Sequence, residues 1–154
     1  MISLTYLHPI AAGFPFPLFI AAFLTELMAY FALTNHWRNS AFFLVILASI
    51  CSVIAYYSGF YQVGEANKTF IVDQDLITRH QAIARVQTLS LIPLLLFGLI
   101  RSIKQTELIH WIYVPFLILS LILTGATSHR GGMLVFEQGA GISRPCEKTI
   151  PDPE

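Results

Sequence analysis

Four long apolar runs, separated by short polar segments, dominate this chain of 154 residues. They cover approximately residues 9–33, 40–61, 76–100 and 108–127. A helix needs about 20 apolar residues to span the hydrocarbon core of a bilayer, so each run is long enough. Only 12% of the residues are charged, which is about half the fraction usual in a soluble domain. The sequence therefore predicts a membrane protein with four transmembrane helices in contact with lipid.

The lengths of the connections predict how these helices are arranged. The connections at residues 34–39 and 101–107 are short, and short connections make antiparallel neighbours. We therefore predict an all-α membrane protein, a four-helix transmembrane bundle with up-down-up-down topology over residues 1–142. Glycine tolerates positive φ, so Gly131 and Gly132 are expected to reverse the chain and start a short Gly-rich fold-back segment. Residues 143–154 are expected to form an exposed or partner-bound tail.

The charges of the loops indicate an orientation. Four spans place both termini and the 62–75 loop on one side of the membrane, called the first face, and the two short turns on the second face. The short turns carry Arg38, Arg101 and Lys104 against Glu107, so the positive-inside rule makes the second face cytoplasmic. We expect a bacterial inner-membrane protein with both termini periplasmic. The net charge of zero gives no reason to expect a nucleic-acid partner.

Three histidines are predicted to lie at one depth near the first face. His8 begins the first span, His80 lies about one turn inside the third, and His129 ends the fourth. Imidazoles from facing helices of a bundle can ligate haem iron from both sides. His8 and His80 come from diagonal helices and form the preferred axial pair, with His80 and His129 as the second choice. The same imidazoles could instead bind copper or zinc, or serve only as hydrogen-bonded polar groups.

Other residues near this level could accommodate a porphyrin. Gly59 removes side-chain bulk where the edge of a ring could pass, and Arg79, Arg85 and Arg130 could pair with propionates. Each also has a simpler interpretation, since Gly59 could serve close helix packing and Arg85 could extend its guanidinium to the interface. These residues are therefore candidate cofactor-binding positions, secondary to the histidines.

Glu26 is an unusual residue for the middle of an apolar run. A carboxylate at that depth is costly unless it is protonated or paired. It could contact a quinone or a proton, or it could be a neutral acid that is hydrogen-bonded, with His110 at a comparable depth on the fourth helix. Both interpretations require a polar partner inside the bundle.

The chain also resembles a known family. The resemblance lies in Leu7-His8-Pro9, Phe14-Pro15, Glu26, Gly59, His80 and the glycine-rich stretch of residues 131–141. This pattern is similar to the bacterial membrane proteins of domain-of-unknown-function family 2231, and it extends over nearly the whole chain. The resemblance implies a four-helix membrane protein in the company of electron-transfer proteins, because some members are fused or adjacent to Rieske-type or cytochrome domains. The family often has a histidine where this chain has Gln138.

These observations lead to one preferred function and two alternatives. The preferred function is a b-type haem-binding membrane subunit, with one haem or two, that transfers electrons with a redox partner, a larger complex or a quinone. The alternatives are a cofactor-free accessory subunit that stabilises a membrane complex, and a copper- or zinc-binding membrane protein. The sequence shows no nucleophile–base pair and no phosphate loop, so an electron-transfer or accessory subunit is favoured over an enzyme acting by itself.

Overall fold

A computed structural model describes residues 4–32, 35–69, 73–104 and 106–137. The described residues form the helices α1 (Leu4–Gly13), α2 (Pro15–Ala32), α3 (Asn35–Thr69), α4 (Gln74–Lys104) and α5 (Glu107–Phe136). Within this described part of the chain, four helical stretches are long and apolar enough to cross a membrane: Leu7–Phe31, His36–Val63, Gln74–Lys104 and Glu107–Phe136. The predicted all-α, four-helix membrane architecture is confirmed.

The first span consists of two helices because the chain bends at Phe14. Pro15 follows the bend, and a residue that precedes proline is disfavoured in helical geometry. Pro15 and Pro17 lie in the first turn of α2, where a backbone N–H has no helical acceptor and its loss is tolerated. The Leu18 amide donates a hydrogen bond to the Phe14 carbonyl at 3.1 Å. The bend lets α1 take its own direction and pack against α3.

The four spans form a closed ring of neighbours. α2 packs on α3, α3 on α4 and α4 on α5, and α5 closes the ring by packing on α2. The first and third spans are therefore diagonal, with α1 and α2 at one corner and α4 at the opposite corner. In such a bundle, side chains from diagonal helices face each other across the interior.

The packed core lies near the middle of the spans. Phe19, Leu94 and Leu117 are fully buried. Alanines line the helix contacts at Ala22, Ala29, Ala41, Ala48 and Ala55. Such small residues allow transmembrane helices to approach closely. Large apolar side chains also point outward, and Ile92 is 65% and Ile122 62% exposed. An apolar surface of this extent is unusual on a soluble monomer and is what lipid would cover.

Two segments that were expected to be loops are helical instead. Most of the 62–75 connection belongs to α3, which continues through Thr69, and to α4, which begins at Gln74. The expected reversal at Gly131 and Gly132 does not occur, because α5 continues to Phe136. A helix keeps its backbone hydrogen bonds internal, and in a membrane this outweighs the helix penalty of glycine, about 1 kcal/mol per residue. The tail expected at residues 143–154 lies outside the described residues.

Candidate functional site

His8 is held on α3 through one ring nitrogen. Its Nδ1 lies 2.8 Å from the Ala55 carbonyl oxygen, which can only accept a hydrogen bond, so Nδ1 carries the proton and donates it. The Ser58 hydroxyl donates to the same carbonyl at 3.1 Å and lies 3.4 Å from Nδ1. In the neutral imidazole this pairing leaves the lone pair on Nε2. Metal-ligating histidines are typically oriented in this way, with one ring nitrogen donating to a carbonyl and the other free to bind.

Gly59 gives the His8 ring its place on α3. A Cβ atom at residue 59 would lie 3.1 Å from His8 Cε1, whereas carbon atoms pack favourably at about 3.5–4.0 Å. The missing side chain therefore makes room for the imidazole itself. The sequence interpretation had assigned that room to the edge of a porphyrin ring.

His80 occupies the corresponding position on the diagonal helix α4. Its ring is half-buried and packs against α5, where a Cβ atom on Gly131 would lie 3.3 Å from His80 Cε1. The backbone carbonyl of Thr127 on α5 acts on the ring as a hydrogen-bond acceptor. The Nδ1 of His80 is buried, and no described residue reaches it with full hydrogen-bond geometry. His80 is therefore held against α5 less tightly than His8 is held against α3.

The two histidines lie close to each other across the interior of the bundle. His8 and His80 are near enough for their imidazoles to interact electrostatically, although they belong to diagonal helices. Each ring rests on a glycine of a different neighbouring helix, Gly59 of α3 and Gly131 of α5. Two imidazoles that approach each other from opposite corners can ligate one ion from opposite sides. No group of three or more His, Cys, Asp or Glu side chains that could hold a metal ion occurs in residues 4–32, 35–69, 73–104 and 106–137.

The other predicted site residues are distributed unevenly around this pair. His129 is exposed on α5, so the structure does not bring it together with His8 and His80. Arg79 is also exposed and forms an ion pair with Asp75, with 2.8 Å between Nε and Oδ2. Arg85 is exposed as well, whereas Arg130 is half-buried and close enough to His80 to interact with it electrostatically. Arg130 is therefore the arginine with the strongest link to the histidine pair.

Polar contacts continue from the histidines toward the middle of the bundle and then stop. Gln87 Nε2 donates to the Ser52 hydroxyl at 3.2 Å, linking α4 to α3. The Ser90 and Ser120 hydroxyls are 3.3 Å apart and link α4 to α5. The next layer is apolar, with Phe19, Val45, Leu94 and Leu117 all fully buried. This layer separates the histidine end of the interior from the end near the second face.

Beyond the apolar layer, Glu26 forms a buried ion pair with Arg101. Arg101 Nη1 donates to Glu26 Oε1 at 2.6 Å, and both side chains are about 5% exposed or less. Arg101 Nη2 also donates to the Arg38 carbonyl at 2.9 Å. The guanidinium lies over the Tyr113 ring, 4.2 Å from its centroid. Glu26 is thus paired, as its depth required, but with a different partner from the histidine considered in the sequence analysis.

The sequence interpretation had placed Arg101 in the short turn between the third and fourth spans, and this placement was wrong. α4 continues to Lys104, so Arg101 lies three residues before the end of the helix, where its side chain is buried. His110 is close as well, with Nδ1 3.4 Å from Glu26 Oε1, but that nitrogen has no hydrogen-bond partner within the described part of the chain. Matching depths across the bundle would have found the pair, because an acid buried at the level of Glu26 requires a cation at that level.

Comparisons with known proteins identify a family but no characterised relative. No curated protein and no solved structure gives a significant match to the chain. The family model described as "Predicted membrane protein (DUF2231)" matches residues 5–144, a range that includes His8, Glu26, Arg101 and His80. This match covers nearly the whole chain and agrees with the four apolar spans. The protein therefore belongs to the family of predicted membrane proteins designated DUF2231.

Proposed function

We propose that this protein is a membrane subunit that holds a b-type haem between His8 and His80 and transfers electrons as part of, or beside, a larger redox complex. The observation that carries the proposal is the orientation of His8. Its Nδ1 donates to the Ala55 carbonyl, which leaves the Nε2 lone pair available, and it is near enough to His80 on the diagonal helix for the two to interact electrostatically.

The side chains present suit haem better than a bare metal ion. A structural zinc site needs about four protein ligands, whereas the macrocycle of haem supplies four and leaves two for histidines. Arg130 is the arginine with which a propionate would pair. When bound, the haem would supply a one-electron couple, and His8 and His80 would orient it.

A second haem has less support. The family pattern often has a histidine where this chain carries Gln138, and that position lies outside the described residues. His129 is exposed. One haem per chain is therefore the stoichiometry that we propose.

An optical spectrum of the purified full-length protein tests the proposal. Expressed in a host supplied with haem, the protein should show the reduced-minus-oxidised bands of a low-spin haem with two imidazole ligands. His8→Ala and His80→Ala should each lose the low-spin bands, and His129→Ala is the matched control that should retain them. Added imidazole should restore the bands to His80→Ala if that variant is folded and lacks only a ligand.

A folded wild-type protein without Soret absorption would refute the haem proposal. Elemental analysis of the same sample would then show whether copper or zinc is present, which tests the metal alternative. If neither haem nor metal is found and His8→Ala with His80→Ala leaves complex assembly unchanged, the protein is a cofactor-free accessory subunit.

We also infer the orientation from the loop charges, with the second face cytoplasmic and both termini periplasmic in a bacterial inner membrane. Lys104 is exposed at the second face. Arg101 is buried in an ion pair with Glu26, so we do not include it among the loop charges. Reporter fusions at each terminus and in the connection between α4 and α5 test this inference, because alkaline phosphatase is active only in the periplasm and a fluorescent fusion only in the cytoplasm. The opposite pattern of activities would reverse the assignment.

A further inference from the structure

The buried cluster near the second face contains polar atoms that the protein itself leaves unused. Among the described residues, Glu26 Oε2, Arg38 Nε, His110 Nδ1 and the Tyr113 hydroxyl are buried without a hydrogen-bond partner. Tyr113 is 0%, Glu26 4% and His110 7% exposed. They come from α2, α3 and α5, and Arg101 of α4 joins them by its ion pair with Glu26. Several such atoms in one place are unusual, because buried polar groups in proteins are nearly always hydrogen-bonded.

The unused atoms include both kinds of hydrogen-bonding group. Glu26 Oε2 is an acceptor, since Arg101 occupies only Oε1 of the same carboxylate. Arg38 Nε is a donor, and the Tyr113 hydroxyl can donate or accept. A group that satisfies them must therefore both donate and accept hydrogen bonds. An inorganic anion would satisfy the donors but would be repelled by the carboxylate.

The depth of the cluster in the membrane favours a ligand that is soluble in the bilayer. Arg38 and His110 each lie three residues after the start of their helices, and Arg101 lies three residues before the end of α4. The cluster is therefore about one turn inside the rim of the bundle, within spans whose outer surface is apolar. A ligand that diffuses in the bilayer with a polar head group at the interface could reach this depth.

We propose that this cluster binds the head group of a quinol or quinone. A quinol hydroxyl would donate to Glu26 Oε2, and a ring oxygen of the quinol or quinone would accept from the Tyr113 hydroxyl, with Arg38 Nε as a second donor. The apolar layer of Phe19, Val45, Leu94 and Leu117 separates this site from the histidine pair. The two sites lie at opposite ends of the first span. His8 and Glu26 are 18 residues apart in the chain, which corresponds to a separation of at most about 27 Å along a helix. The proposal concerns binding and is independent of haem at the other end.

Titration of the full-length protein in lipid nanodiscs with menadione, a short quinone, tests the proposal. Isothermal titration should show saturable binding after the signal of empty nanodiscs is subtracted. The matched ligand is 2-methylnaphthalene, which has the same ring system without the two oxygens and should bind at least several-fold more weakly. Equal affinity for the two ligands would overturn the proposal, because the polar cluster would then recognise nothing on the ligand.

Tyr113→Phe is the decisive variant. It removes only the unused hydroxyl and keeps the ring that lies under Arg101, so it should fold with unchanged or slightly raised thermal stability. Loss of one neutral hydrogen bond should weaken menadione binding roughly 2- to 12-fold. Glu26→Gln should not weaken menadione binding, because a quinone has no hydrogen-bond donor for that carboxylate. It should weaken binding of menadiol, the quinol of menadione, roughly tenfold or beyond, because the lost hydrogen bond involves a charged acceptor.

Ser120→Ala is the matched control. It also removes a fully buried hydroxyl from α5, two turns further along the helix and on the other side of the apolar layer, and it should bind menadione as the wild type does. If Tyr113→Phe binds menadione with the affinity of the wild type and of Ser120→Ala, or if no saturable binding is seen, the proposal is wrong. The unused atoms would then be hydrogen-bonded to internal water.

Discussion

Replacing Arg101 with alanine should destabilise the bundle by about 3–5 kcal/mol, the usual consequence of leaving one partner of a buried ion pair without the other. Arg101 and Glu26 are each 4% exposed, so water cannot readily replace the missing guanidinium. The variant also loses the hydrogen bond to the Arg38 carbonyl and the cation–π contact with Tyr113. The free energy lost with these two contacts is already included in that range, because values measured for broken buried ion pairs include such secondary losses.

Replacing both partners should be far less harmful. In the double variant Glu26→Leu with Arg101→Met, no unpaired charge remains and both side chains pack as apolar groups of similar size. We expect this variant to recover most of the loss, to within about 1–2 kcal/mol of the wild type. The single variants Glu26→Leu and Arg101→Met, with the double variant and the wild type, form a double-mutant cycle that isolates the interaction between the two side chains.

Reversible unfolding in mixed detergent micelles, followed by circular dichroism, measures these free energies. Lys104→Ala is the matched control, because it removes an exposed cation from the next turn of the same helix and should change stability by less than about 0.5 kcal/mol. If the effects of Arg101→Met and Glu26→Leu simply add, with a coupling energy below about 0.5 kcal/mol, the buried ion pair does not stabilise the fold as argued.

Two further predictions concern glycines that lie against aromatic or imidazole rings. Gly59→Ala should destabilise the protein by roughly 1–3 kcal/mol, because the new methyl group would meet the His8 ring at 3.1 Å. Gly13→Ala is the control, because its new methyl group has no atom within 4 Å. It should unfold at nearly the detergent concentration that unfolds the wild type. Gly98→Ala should be at least as harmful, since its methyl group would overlap the Phe42 ring, and Phe42→Leu should partly rescue it in the same unfolding assay. An unchanged midpoint for Gly59→Ala or Gly98→Ala would show that these rings do not pack as described.

Depth in the membrane could be predicted well from the sequence, and orientation around each helix could not. Counting residues along apolar runs placed His8 and His80 at one level, and in the structure they are near enough to interact electrostatically. The same count placed His129 at that level too, yet its side chain is exposed on α5. The difference arises because depth follows from the constant rise of a helix, about 1.5 Å per residue, whereas the direction of a side chain depends on which face of the helix meets its neighbours.

The chain by itself determined the number of spans, their ring-forming order and the depth of His8, His80 and Glu26, because apolar length and short connections leave few alternatives in a bilayer. Tertiary packing decided what those polar residues contact. It turned Arg101 inward onto Glu26 and placed the Ala55 carbonyl where it fixes the His8 ring. It also placed His80 against Gly131, in the last part of α5. These contacts join residues 47 to 75 positions apart in the chain, so they exist only once the helices have packed and no local pattern encodes them.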